Sequence, residues 1–165
     1  MCATGCSTTN LWNISKICEA NKVKILVING PNLNMLGRRN PELYGKRDYP
    51  ALCEFIRQSA DALGMETELF QSNHEGAIID AIQSAAEKFD GIVINAGGYT
   101  HTSVAIADAI EAAQKPAVEV HITDVNARED FRKISYLRKY CAATYSGYGF
   151  DSYRMALEHL HGLLK

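Results

Sequence analysis

Residues 23–32 read Val-Lys-Ile-Leu-Val-Ile-Asn-Gly-Pro-Asn. Ile25-Leu26-Val27-Ile28 carries apolar side chains at consecutive positions, so an extended segment here is buried on both of its faces. Asn29-Gly30-Pro31 stops the run. A strand apolar on both sides belongs inside a sheet covered by helices above and below, and the chain on either side of it supplies matching pieces.

Residues 31–47 hold Pro, Gly and Asn without a periodic apolar face and read as a long loop. Asp48 is a helix cap with Pro50 in the first turn. Leu52, Phe55, Ile56, Ala60 and Leu63 then recur at helical spacing until Gly64. Glu66–Gln71 reads as a second strand. Ser72-Asn73-His74-Glu75 fits a capping box, and Ile78, Ile79, Ile82, Ala85, Ala86 and Phe89 form the stripe of the next helix. Gly91–Asn95 is a third strand, Thr102 to Ala113 a helix, and Ala117–Ile122 a fourth strand. Ala127 to Phe131 reads as a short helical turn and Ala142–Ser146 as a fifth strand. Tyr153, Ala156, Leu157, Leu160 and Leu164 line a closing helix.

Strands alternating with helices make βαβ units and a parallel sheet with right-handed crossovers. The expected fold is α/β, a flavodoxin-like three-layer sandwich with a five-stranded parallel sheet in the order 2-1-3-4-5. Ligands of such sheets bind beyond the carboxyl ends of the strands, at the switch point between the first and third.

Composition agrees with one soluble domain. The chain has 165 residues, 47% apolar and 22% charged, with a formal net charge of −2. That balance offers no basic footprint for nucleic acid, and no apolar run is long enough to span a membrane. The five cysteines, Cys2, Cys6, Cys18, Cys53 and Cys141, form no CxxC, so a reduced, cytoplasmic location is expected rather than a disulfide scaffold or zinc site. Residues 1–22 lack periodicity and read as a mobile N-terminal extension ahead of a single domain, 23–165. They contain no arginine, which weakens a targeting role.

Polar groups collect at the expected strand ends. Asn29-Gly30-Pro31-Asn32 follows the first strand, with Arg38, Arg39 and Tyr44 in the long loop. Asn95-Ala96-Gly97-Gly98-Tyr99-Thr100-His101-Thr102-Ser103 follows the third. The fourth carries Glu119 and His121, then Ile122-Thr123, Arg128 and Arg132. Taken singly, each has an ordinary explanation as turn chemistry, a solvated arginine or a loop anchor. Their joint placement at one sheet edge points to an anion-binding pocket. The chain has no GxGxxG, no phosphate-cradling GxxxxGK[ST] and no HExxH, so no dinucleotide, nucleotide or metal motif accounts for that pocket. A long loop bearing arginines and a tyrosine suits a lid. A tyrosine is a weak base at its ordinary pKa of about 10, but a neighbouring guanidinium such as Arg39 would stabilise its phenolate. With an imidazole acid and an anion clamp, the set suits proton abstraction beside a carbonyl.

At these residues the chain resembles the type II 3-dehydroquinate dehydratase family, also called type II dehydroquinases. The resemblance rests on Ile28–Leu33 with Leu36-Gly37-Arg38-Arg39 and Tyr44-Gly45, on Asn95–Gly98 with Thr100–Ser103, and on Glu119–Ile122 with Ala127-Arg128-Glu129 and Phe131-Arg132. It runs in one order over about residues 23–161. It implies a cofactor-free lyase that converts 3-dehydroquinate to 3-dehydroshikimate and water by anti elimination through an enolate, with no Schiff base. By position, Tyr44 matches the base, Arg39 the residue that keeps it ionised, His121 the acid, Glu119 its orienting partner, and Asn32 the holder of a water near the enolate oxygen. Asn95, His101, Ile122, Thr123 and Arg132 match the substrate clamp, and Asp108 a residue supplied by a neighbouring subunit. The family assembles as a dodecamer of four trimers. Thr123-Asp124 stands where Ser-Asn is common, and Arg138-Lys139 and Ala143 also depart from the family's usual residues.

Two other functions compete. A flavin- or nucleotide-holding module is disfavoured because Gly30-Pro31-Asn32-Leu33 is stiff and poor in donors. An assembly protein without turnover is disfavoured by the presence of Tyr44, Arg39 and His121. Aromatic biosynthesis and quinate breakdown are not distinguished.

Overall fold

The computed structural model describes residues 22–38 and 47–165. Five parallel strands, β1 (Lys24–Asn29), β2 (Glu66–Gln71), β3 (Gly91–Asn95), β4 (Ala117–His121) and β5 (Ala143–Ser146), form one sheet in the order β2-β1-β3-β4-β5. Among the described residues four α-helices pack on it: α1 (Tyr49–Ala62), α2 (Glu75–Lys88), α3 (Val104–Ala113) and α4 (Asp151–Leu164). This is the flavodoxin-like three-layer fold expected from the alternation of strand and helix.

The unbroken apolar run of β1 explains the layers. Side chains alternate across a strand, so Ile25 and Val27 join Leu52, Ile56 and Ala60 of α1 and Ala156, Leu157 and Leu160 of α4. Leu26 and Ile28 join Ile78 and Ile82 of α2 and Ile106 and Ile110 of α3. Each buried Val, Leu or Ile of these cores contributes roughly 1.5–3 kcal/mol by leaving water. A polar substitution in β1 therefore damages one whole core.

Local chemistry sets the helix starts. The Asp48 carboxylate accepts from Ala51 N at 2.9 Å, with Pro50 in the first turn, and so caps α1. Ser103 Oγ accepts from Ile106 N at 2.9 Å and caps α3. Gly64, at φ 69°, turns the chain out of α1.

Three local expectations change. No capping box opens α2: the N-cap is His74, and the Ser72 hydroxyl accepts the His74 N–H at 3.0 Å instead, two residues on. α3 starts at Val104 rather than Thr102, because the Ser103 hydroxyl outcompetes its neighbour as a cap and Gly97–His101 forms a separate 3-10 turn. One short turn was expected at 127–131. The chain forms 3-10 turns at Val125–Ala127, Asp130–Arg132 and Arg138–Tyr140, because Arg128 and Glu129 are extended and break any longer helix. In the expected loop after β1, Leu33–Met35 is also a 3-10 turn. Of the proposed extension only Lys22 is among the described residues, and residues 39–46 of the loop, with Arg39 and Tyr44, lie outside them.

Candidate active site

The strands end in polar residues along one edge of the sheet. Across it run Gln71, Asn29, Asn95, His121 and Ser146, the last residues of β2, β1, β3, β4 and β5. Asn29 is in register with both Gln71 and Asn95, and His121 with Ser146. The apolar runs stop at one level, so the polar groups line up where helices no longer cover the sheet.

The turns after β1 and β3 are packed together by glycine. Gly30 N donates to Asn95 O at 2.7 Å. A Cβ on Gly30 would lie 2.5 Å from Ala96 O, a distance no side chain tolerates. Gly97, at φ 58°, crosses over Pro31, whose carbonyl would stand 3.1 Å from any Cβ added there. Asn32 is left-handed at φ 66°, and its N–H donates to Asn73 Oδ1 at 3.0 Å. Asn tolerates this conformation better than other non-glycine residues.

Glu119 and His121 are two apart on β4 and therefore share a face. His121 Nε2 lies 2.8 Å from Glu119 Oε1. Both are buried, Glu119 completely. Burial opposes charge on Glu119, but hydrogen bonds from His121, Ser135 and Thr144 together with the attraction of His121 outweigh it and hold the carboxyl below its ordinary range. An ionised carboxylate only accepts, so Nε2 carries the proton and Nδ1 is the nitrogen left for a ligand. The His101 ring stacks on His121 at 6.4 Å between centroids and 14° between planes. His101 Nδ1 donates to Ile134 O at 2.6 Å, which leaves its Nε2 for a ligand as well.

A cleft of about 180 Å³ opens above these groups. That is small beside the roughly 300–1,000 Å³ of sites for drug-sized ligands and suits a single substituted ring. Asn32, Asn95, His101, His121, Ile122, Thr123 and Arg132 all line it, as do Arg128 and the apolar Leu33, Met35 and Leu36. Arg132 Nε donates to Glu129 Oε2 at 2.9 Å, and Arg128 Nε lies 3.6 Å from the same oxygen. Asp124, which stands where the family often has Asn, accepts from Asn126 N at 2.9 Å and is occupied in capping the turn. Glu119 stands behind His121 rather than in the wall. Asp108 is exposed on α3, outside the cleft of its own chain. Arg39 and Tyr44 lie outside the described residues. No group of His, Cys, Asp or Glu able to hold a metal occurs among the described residues.

The model of the family described as dehydroquinase class II matches residues 23–161. The chain belongs to the class II dehydroquinase family. It is an enzyme of the type II 3-dehydroquinate dehydratase group. A 3-dehydroquinate dehydratase of Caldicellulosiruptor saccharolyticus is 52% identical over 142 residues, which is 86% of this chain and 98% of that protein. A catabolic 3-dehydroquinase of Aspergillus clavatus is 49% identical over 136 residues, 82% of this chain and 91% of that protein. Among solved structures, the type II dehydroquinase of Butyrivibrio crossotus superposes with a TM-score of 0.82 at 48% identity, covering 84% of this chain and 97% of that one.

Four supporting residues were not legible from the dehydroquinase motifs. Ser135 and Thr144 bond Glu119 at 2.8 and 3.1 Å. Tyr153 bridges the two strand-end amides, and Asn73 holds the Asn32 turn. Tyr153 reads from the sequence only as core, since its hydroxyl partners are more than fifty residues away. Thr144 was detectable only through strand register, which places it beside Glu119.

Proposed function

We propose that the chain dehydrates 3-dehydroquinate to 3-dehydroshikimate by anti elimination through an enolate. The observation that carries this reading is the buried, charge-bearing Glu119 holding His121 Nε2 beneath a small polar cleft. A carboxylate partner stabilises imidazolium, so His121 is a proton source for a leaving hydroxyl. Tyr44 is the base that removes the proton alpha to the ketone, and Arg39 keeps its phenol ionised. As the C–H bond breaks, its electron pair forms the enolate. The enolate then expels the hydroxyl, which takes a proton from His121 Nδ1 and leaves as water. Asn32 holds a water against the enolate oxygen, where negative charge develops. Asn95, His101, Ile122, Thr123 and Arg132 bind the substrate's carboxylate and hydroxyls.

No cofactor enters this scheme. Residues 23–165 act as one catalytic domain, with residues 1–22 a leader. Asp108, exposed on α3, serves a neighbouring copy's site in a dodecamer of four trimers. No described helix is long and apolar enough to cross a membrane. The cysteine pattern, with no CxxC, supports a reduced, cytoplasmic location for the enzyme.

The test adds 3-dehydroquinate and follows the ultraviolet absorbance of the conjugated enone. Product should accumulate, and borohydride with substrate should leave activity intact because no imine forms. Arg39→Ala should slow turnover at least ~100-fold, the scale of acid–base groups. Absence of product, or near-normal turnover by Arg39→Ala at neutral pH, refutes the scheme.

A further inference from the structure

Glu119 is fully buried, and both of its oxygens are occupied. Oε1 accepts from His121 Nε2 and from Ser135 Oγ, each at 2.8 Å, and Oε2 accepts from Thr144 Oγ1 at 3.1 Å. Neither hydroxyl lines the cleft. Thr144 sits beside Glu119 in the β4–β5 register. Ser135 is fixed because its oxygen also accepts Arg138 N at 3.1 Å.

We infer that Ser135 and Thr144 are positioning residues: they hold Glu119 as a charged acceptor for His121 and thereby set how tightly the His121–Glu119 pair binds its proton. This rests on the proposed role of His121 as proton donor.

A hydroxyl donor stabilises a bare carboxylate more than a carboxyl group, and more than a carboxylate already neutralised by imidazolium. Losing a hydroxyl therefore destabilises the unprotonated pair most. The pair's affinity for a proton rises whichever partner carries it. The other groups facing the pair do not reverse this sign. Burial, and next the charge on Glu119, push the Cys141 thiol up to about 12, so it stays neutral. His101 stacks on His121, and Arg128 and Arg132 line the cleft above it. All three are unchanged by removal of either hydroxyl.

The test is an NMR titration of the His121 ring in the full, ligand-free chain labelled at histidine, with the resonance assigned by its loss in His121→Asn. In Ser135→Ala the midpoint should rise by about half to one pH unit, the differential value of one hydrogen bond to a charged group. Thr144→Val should move it the same way by less, since its bond is longer. Ser135→Thr, which keeps the hydroxyl, should restore the original midpoint. An unchanged or lowered midpoint in Ser135→Ala overturns the inference, and that variant alone decides if Thr144→Val does not fold. The titration needs no turnover, so its outcome is independent of whether 3-dehydroquinate is dehydrated. In active protein, the His121-dependent limb of the kcat/KM profile, which reports the free enzyme, should move by the same amount.

Discussion

Tyr153→Phe removes a single oxygen from the interior, and its consequences can be worked out. The ring is fully buried in α4. Its hydroxyl accepts from Asn95 Nδ2 at 2.9 Å and donates to Asn29 Oδ1 at 2.6 Å. Burial pushes the phenol far above its ordinary pKa, so it stays neutral and performs both tasks at any accessible pH. Phenylalanine fills the same space and leaves one donor and one acceptor unpaired at the ends of β1 and β3. Each orphaned group costs about 1–3 kcal/mol. The two strand ends are in register and can partly satisfy each other, so the net loss should be about 2–4 kcal/mol. For a chain of this length that lowers Tm by roughly 4–15 °C. Asn95, which lines the cleft, also loses the bond that fixes its amide, so KM should rise about fivefold, the equivalent of ~1 kcal/mol, with a smaller change in kcat. Thermal denaturation and steady-state kinetics on the folded variant measure both. A Tm within about 1 °C of the parent together with an unchanged KM would refute the view that this hydroxyl braces the site.

Glu119→Gln keeps the shape but removes the charge and turns one of the two accepting oxygens into an amide donor, so the His121 midpoint should fall and kcat at neutral pH should drop about tenfold or more, as a charge-assisted bond becomes a neutral one. Activity unchanged at every pH would remove Glu119 from the mechanism. Because the native Glu119 carboxyl lies below its ordinary value of 4.5, the stability it adds is present above that value and lost as pH falls through the native one. The parent's Tm should therefore show an extra decline on acidification that Glu119→Gln lacks, as read by melts at stepped pH. Gly30→Ala places a Cβ 2.5 Å from Ala96 O; it should cost about 1–3 kcal/mol and raise KM by parting the Asn32 and Gly97 turns. Gly76→Ala, in α2 with open space around it, should instead stabilise by roughly 0.5–1 kcal/mol, and equal melting behaviour of the two variants would contradict the steric argument.

Burial on both faces of Ile25–Ile28 and the alternation of strand and helix determined the layered fold and its strand order, because hydrophobic periodicity and crossover handedness are properties of the linear chain. The same reasoning placed Asn95, His101, His121 and Arg132 at one edge, since each follows or ends a strand. The Glu119–His121 pairing was implicit in period-two geometry. Short-range competition between hydroxyls and amides was less legible. Ser72 looked like the cap of α2, yet its oxygen closes on the nearer His74 N–H, and Ser103 rather than Thr102 opens α3. The tertiary structure alone decided which distant donors meet each buried acceptor. Ser135 reaches Glu119 from an irregular segment with no period to read, and Tyr153 reaches Asn29 across 124 positions of sequence. Such partners are selected by the cost of leaving polar groups unpaired once withdrawn from water, a condition set by the packed molecule as a whole.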